Sequence, residues 1–372
     1  MKVIVLTQQY PSEDDLYRNA FVHTRIKQYQ NIDPTIIFKV FILSDNNENR
    51  VYTYDGVEVI VGTESYFLEI IEKDRIDCIN VHFLLKRMMD LLLNNQIKEI
   101  KKVIWIHGYE ALSWKRRVFD LFNKSFITYP YHNYKQLKSF NSYVINEKNS
   151  EYIFVSEWMK MIAESDIKEK FLNSYIIPNG IDIDFYDYKK KNGLEKNILL
   201  IRPFNSRKYA TDIAMKTIKL LSKEDDFFDY KITIVGSGKY FEKDTCFLKQ
   251  YKNVRLIESF LNKDEIKKLH SNHGIFLCPT RQDAQGVSMC EAMSSGLIPI
   301  TSNNTAIPEF VSSKEGYLCD SPTEFKNAIV SLKNKELFHQ KSKNARKRIE
   351  NQCNLREISQ KELMLMREDK KI

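Results

Sequence analysis

At 372 residues and 44.0 kDa the chain is too long for one small module and fits two domains. With 43% hydrophobic and 28% charged residues but only 11 Gly and 9 Pro, it falls outside the disordered, collagen-like and low-complexity classes. The net charge of +8 is uneven: residues 1–184 carry 23 basic against 25 acidic side chains and residues 185–372 carry 34 against 24, which suits the second half to an anionic partner.

Short β-branched runs alternate with helical patterns along the chain, the order of an α/β protein with parallel sheets covered by helices. The first series of predicted strands covers residues 3–7, 36–43, 76–82, 103–107, 152–155 and 175–177. Pro178-Asn179-Gly180 and the charged stretch Lys189-Lys190-Lys191-Asn192-Gly193 then break both periodicities and mark a boundary. A second series follows at 197–202, 231–235, 254–257, 274–278 and 297–301. The expected organisation is a Rossmann-like domain over 1–177, a linker over 178–196, a second Rossmann-like domain over 197–350 and a C-terminal segment, 351–372, holding a helix over 355–367. Two doubly wound halves would bind ligands at the C-terminal ends of their strands.

No apolar run approaches bilayer length, and the stretch after Lys2 is too short for a signal peptide, so a cytoplasmic location is expected. Cys78, Cys246, Cys278, Cys290, Cys319 and Cys353 lack C-x-x-C spacing and are read as structural thiols. Residues 101–138 hold eight basic and two acidic side chains, among them Lys115, Arg116 and Arg117, and a peripheral membrane contact is one reading of that cluster. Nucleic acid is not expected, because no recognised module accompanies the charge. The excess of basic residues over 341–372, ten against five, reads as a solvated helix face.

The most informative segment runs from Pro279 to Gly296. A buried strand ends at Cys278, a polar loop with Gly286 follows, and a short helix starts near Val287 and stops at Gly296. Free N–H groups at such a helix start, around Gly286, Val287 and Ser288, suit a phosphate. Asp283 and Glu291 could accept hydroxyls of a sugar and a ribose; the alternative is one acid favoured by the helix dipole and one solvated Glu. Arg202 ends a strand and Arg207-Lys208 opens a helix, where two cations can neutralise a departing diphosphate or simply be solvated. Val235-Gly236-Ser237-Gly238 follows a strand like a phosphate loop but lacks the third Gly of a dinucleotide fingerprint and a Walker lysine. In the first half, His107 ends an apolar strand and is followed by Gly108, and the loop 8–21 with Arg18 and Asn19 leads to His23 and Arg25. His82, His132, His270, His273 and His339 lack metal spacing and are read as structural.

Together these pieces resemble the family 4, or group 1, retaining glycosyltransferases of the GT-B fold. The resemblance spans the chain and rests on Ile177-Pro178-Asn179-Gly180-Ile181-Asp182, Arg202 with Arg207-Lys208, Val235-Gly236-Ser237-Gly238, Asp283 with Glu291-Ala292-Met293, and Ile307-Pro308-Glu309. It implies two Rossmann-like domains facing across a deep cleft, with the C-terminal helix packing back on the first. It also implies transfer of a sugar, with retention, from a nucleotide-diphosphate donor to a glycan, glycolipid or polysaccharide intermediate, with UDP the expected nucleotide. Glu291 would hold the donor ribose, Asp283 the donor sugar, and Arg202 with Lys208 or Arg207 the diphosphate. His107 would stand beside the donor sugar, Gly236, Gly238 and the backbone of 286–288 near phosphate, and Phe260 near the base.

Two positions depart from the family pattern. Asp283 stands where Glu is usual, which bears on donor choice, and Ile201 stands where Gly commonly precedes the arginine. The sequence Asp283-Ala284-Gln285-Gly286 is similar to bacterial polysaccharide-type enzymes. No cofactor or metal is expected, because the basic side chains and the helix start offer the charge a metal would supply; Asp182 and Asp184 have Asp-x-Asp spacing but read as turn residues. With no enzyme nucleophile evident, the leaving phosphate would help deprotonate the acceptor on the same face. Competing readings are a sugar-nucleotide epimerase, a non-catalytic nucleotide-sugar sensor, and a dehydrogenase that would require a full glycine fingerprint.

Overall fold

The computed structural model describes residues 1–13, 15, 18–44, 49–120 and 128–367. The chain divides into two compact units, the described parts of 1–116, 124–178 and 356–372 in one and of 117–123 and 179–355 in the other. The segment expected as a linker, 178–196, therefore lies almost wholly within the second unit, and the chain leaves that unit again at Leu355.

The first unit is built on an eight-stranded sheet. Its strands are β1 (Lys2–Thr7), β2 (Ile37–Leu43), β3 (Arg50–Tyr54), β4 (Val57–Gly62), β5 (Cys78–His82), β6 (Lys101–Ile106), β7 (Ser150–Phe154) and β8 (Ser174–Ile176). The order is β3-β4-β2-β1-β5-β6-β7-β8, parallel except for the antiparallel β3–β4 pair. β3 and β4 were not among the predicted strands, although their signal is present: Asp55 and Gly56, both with positive φ (43° and 78°), form the tight turn that Asp-Gly favours. The central strands are nearly continuous apolar runs, as a sheet covered on both faces requires; Val3–Leu6 is wholly buried.

The C-terminal helix Leu355–Met366 adds Ile358, Leu363, Leu365 and Met366 to this core. It also brings in a buried acid. Glu362 accepts hydrogen bonds from Trp105 Nε1 (2.9 Å), Tyr29 Oη (2.7 Å) and Arg25 Nε (3.2 Å), all buried. One buried charge is thereby paired and the remaining lone pairs are used, the condition under which a buried ion pair is tolerated.

The second unit holds β9 (Asn197–Ile201), β10 (Lys231–Val235), β11 (Val254–Ile257), β12 (Ile275–Cys278), β13 (Ile298–Ser302) and β14 (Tyr317–Cys319) in one parallel sheet. Its order, β11-β10-β9-β12-β13-β14, is the doubly wound 3-2-1-4-5-6 pattern. The short strand β14 was not predicted. The order in which strands are added reverses between the parallel neighbours β9 and β12, so the crevice of such a sheet opens beyond the C-terminal ends of these two strands. Arg202 and the loop 279–286 are the residues that follow them.

Candidate functional site

Arg202 leaves β9 and turns inward. Its side chain is buried, with Nη2 donating to the Cys278 carbonyl at the end of β12 (3.1 Å) and Nη1 3.4 Å from Ser288 Oγ. Its Nε is buried without any partner, and no carboxylate pairs with the guanidinium among the described residues. A buried arginine with an orphan donor and no counter-ion is costly unless an anion joins it.

Beside it begins the Val287–Ser294 helix, entered through Gly286 in the left-handed conformation (φ 80°). Met289 and Cys290 already donate to the Gly286 carbonyl, whereas the N–H groups of Val287 and Ser288 have no protein partner among the described residues. Unpaired helix-start donors next to a buried guanidinium form an anion site by geometry and by dipole.

Arg207 and Lys208 separate in role. Arg207 donates twice to Asp244 (2.6 and 2.9 Å) and lies 4.0 Å from the centroid of the Tyr240 ring, so its charge is already matched. Lys208 makes no ion pair among the described residues, and its ammonium lies 5.6 Å from the Tyr209 ring centroid. Its carbonyl accepts from Arg281 N (2.8 Å) and Thr280 Oγ1 (3.3 Å), which ties the loop after β9 to the loop after β12. Of the two cations, Lys208 is the one without a carboxylate partner among the described residues.

Asp283 caps its own loop: Oδ1 accepts from Gly286 N (2.9 Å) and Gln285 N (3.3 Å). Glu291, one turn into the helix, bonds the Tyr186 hydroxyl; burial pushes its carboxyl up to about 7, opposed by Lys263 and that bond. A feature that motif reading missed is Gln285. Its buried amide accepts from Asn179 N (2.7 Å) and Nδ2 (2.8 Å) and donates to Asn179 O (3.0 Å), clamping the loop onto the Pro178-Asn179-Gly180 turn.

Gly236 and Gly238 serve close packing. A Cβ on Gly236 would lie 1.9 Å from the Arg202 carbonyl, and one on Gly238 would lie 2.1 Å from Asn205 Oδ1. The Gly236 N–H is spent on Ile257 O (3.1 Å). These glycines let the loop after β10 press on the Arg202 loop, a positioning role. Phe260 is 70% exposed, and Val287 is exposed at the helix start. Asp182 Oδ1 accepts from Phe185 N (2.9 Å), a turn role.

His107 stands in the first unit after β6. Its Nε2 lies 3.0 Å from Nδ1 of the buried His82, and burial holds both imidazoles well below the usual histidine range, so both are neutral. Both Glu110 carboxylate oxygens accept from the backbone of this turn, from His107 N (2.5 Å) and Gly108 N (2.9 Å), and burial lifts that carboxyl to about 7. Phe83 packs 4.4 Å from the His107 ring centroid. His82, read as structural, is thus the partner of His107. Nothing in the spacing of the two residues, one ending β5 and one following β6, could have paired them.

Residues 184–351, which hold Arg202, Lys208, Asp283 and Glu291 on one switch-point crevice, match the family model of glycosyl transferases group 1. That match covers somewhat less than half of the chain. The whole chain has the GT-B fold. It is similar to sucrose-phosphate synthase from Thermosynechococcus elongatus, at 13% identity over 98% of each chain and a TM-score of 0.73. A glycosyltransferase from Rickettsia africae ESF-5 is 14% identical over 99% of this chain and 98% of that chain, with a TM-score of 0.71. Anabaena HepE, solved with UDP and glucose, is 13% identical over 98% of each chain, with a TM-score of 0.68. No curated protein matches the sequence. Within the matched residues, Arg202 and the start of the Val287–Ser294 helix build the anion site.

Proposed function

We propose that the protein is a retaining glycosyltransferase that moves a sugar from a UDP-sugar to a hydroxyl of a glycan, glycolipid or cell-surface polysaccharide intermediate. The observation that carries this reading is Arg202, buried and, among the described residues, without a counter-ion, set against the N–H groups of Val287 and Ser288, which have no partner among those residues. A diphosphate supplies the charge this site lacks, and the UDP bound in the HepE structure supports the nucleotide.

Arg202 and Lys208 neutralise the diphosphate as the bond from the sugar's anomeric carbon to phosphate oxygen breaks. The acceptor oxygen bonds to that carbon on the same face, and its proton passes to the departing phosphate oxygen. Glu291 receives the ribose hydroxyls, and Asp283, whose Oδ2 makes no hydrogen bond among the described residues, receives the donor sugar. The role of His107 beside the donor sugar follows the family resemblance; a neutral imidazole there can donate or accept without adding charge. On this reading the two cations and the helix start serve the diphosphate without a divalent ion.

The test is a panel of nucleotide sugars scored for slow donor hydrolysis by the purified protein, with calorimetry of UDP in the presence and absence of EDTA. Hydrolysis of one donor and EDTA-insensitive UDP binding are expected. Release of an altered free sugar would identify an epimerase, UDP-sugar binding that never leads to consumption would identify a sensor, and strict dependence on a divalent ion would overturn the metal-free step.

A further inference from the structure

The Tyr129–Asn146 helix of the first unit presents an unusual outer face. Tyr131 and Tyr134 are 59% and 65% exposed, and Lys135 and Lys138 stand four positions after each, so the four side chains share one face. The Lys135 ammonium lies 4.3 Å from the Tyr131 ring centroid, so ring and charge are displayed together. The helix contains no acidic residue.

Next to this face is a cavity of about 400 Å³ lined by Trp114, Lys115, Tyr134, Leu137, Lys138 and Lys168 among others. The one acid in its wall, Asp166, is held by Arg116 through two hydrogen bonds (2.6 and 2.8 Å) and by Ser113 N (2.8 Å). Lys115, Lys138 and Lys168 make no ion pair among the described residues, so the rim is left cationic. Part of the basic cluster of the sequence, 121–127, lies outside the described residues. No helix among the described residues is long and apolar enough to cross a membrane.

We propose that this face docks on an anionic phospholipid surface, with Tyr131 and Tyr134 at headgroup level and the lysine-rimmed cavity receiving a lipid phosphate. Two observations favour a bilayer over a solvated helix: amphipathic aromatics turned outward at helical spacing, and ammonium groups around them that make no ion pair among the described residues. The proposal uses none of the residues placed at the donor site.

Flotation of the full-length protein with vesicles of phosphatidylcholine, alone or with phosphatidylglycerol, tests it. Binding is expected only to the anionic vesicles and should weaken as salt rises. Lys135→Glu/Lys138→Glu should lower it about 25-fold or more, on the basis of the usual contribution of each basic residue near such a surface. Tyr131→Ser/Tyr134→Ser should lower it several-fold while leaving the salt dependence in place. These side chains are exposed, and unchanged UDP calorimetry checks that the variants fold. Hydrogen exchange on anionic vesicles should protect the amides of this helix. Failure of the wild type to float overturns the proposal, as does floating of both double variants at wild-type level. Equal binding to heparin with no effect of the tyrosines would reassign the face to a soluble polyanion and overturn it too.

Discussion

Arg202 Nη1 lies 3.4 Å from Ser288 Oγ, and this contact joins the end of β9 to the first turn of the Val287–Ser294 helix. It brings a permanent cation to helix-start amides that, like the buried guanidinium Nε, have no partner among the described residues. Arg202→Ala should lower turnover of the donor by about 100- to 1000-fold, the usual effect of removing a charge-stabilising donor. Arg202→Lys should restore only part of it, since an ammonium cannot reproduce the planar fork. Steady-state kinetics with the preferred nucleotide sugar measures both.

Arg207 and Lys208 are adjacent but should give opposite phenotypes. Arg207→Ala strands Asp244, whose side chain is only 7% exposed, and should cost about 2 kcal/mol of stability, seen as a lower midpoint in thermal or denaturant unfolding. Lys208→Ala should leave the midpoint within about 0.5 kcal/mol and reduce turnover. A Lys208→Ala enzyme with wild-type kcat/KM would remove this lysine from the diphosphate.

The carboxyl of Glu291 titrates near neutrality, at about 7. A ribose diol is best gripped by the ionised form, so donor affinity should rise between pH 6 and 8, and Glu291→Gln should abolish that rise along with most of the affinity. Stability changes in the opposite sense. The folded value lies above the ordinary one of 4.5, so between about 4.5 and about 7 the folded state holds a proton the unfolded chain has lost, and stability falls as pH climbs from the lower value to the upper. At pH 8 Glu291→Gln should therefore melt higher than the wild type, by about 2–4 °C for each kcal/mol relieved. Calorimetry and thermal melts at both pH values check the pair of effects.

Glu362 is the anchor of the C-terminal helix. Its replacement by Ala removes the carboxylate that Arg25, Tyr29 and Trp105 share in the core and should cost about 3–5 kcal/mol. The indole N–H of Trp105 loses its acceptor in the same change, so the tryptophan emission should shift along with the unfolding midpoint. Glu362→Gln, which retains one acceptor oxygen, should be milder.

The alternation of apolar strands and helical segments, and the turn-rich stretch near 178–193, were legible because secondary-structure period and chain-breaking residues are local properties. The same was true of the strand-loop-helix from 275 to 294, where burial, a glycine and a helix stop occur in order. The hairpin at Asp55-Gly56 was legible too and went unread, because its strand β3 is exposed at several positions and carries little apolar signal.

Tertiary structure alone decided which charges were free. Arg207 and Lys208 look alike in sequence, and only Asp244, 37 residues on from Arg207, distinguishes them. The pairing of His82 with His107, the clamp of Gln285 on Asn179 and the triple bond set of Glu362 join residues 25 to 337 positions apart. The sequence by itself determined which chemical groups the protein has and on which kinds of element they sit. Folding determined which of those groups already have partners, because a hydrogen bond or ion pair depends on distance in space, and that distance is set by strand order and packing rather than by position along the chain.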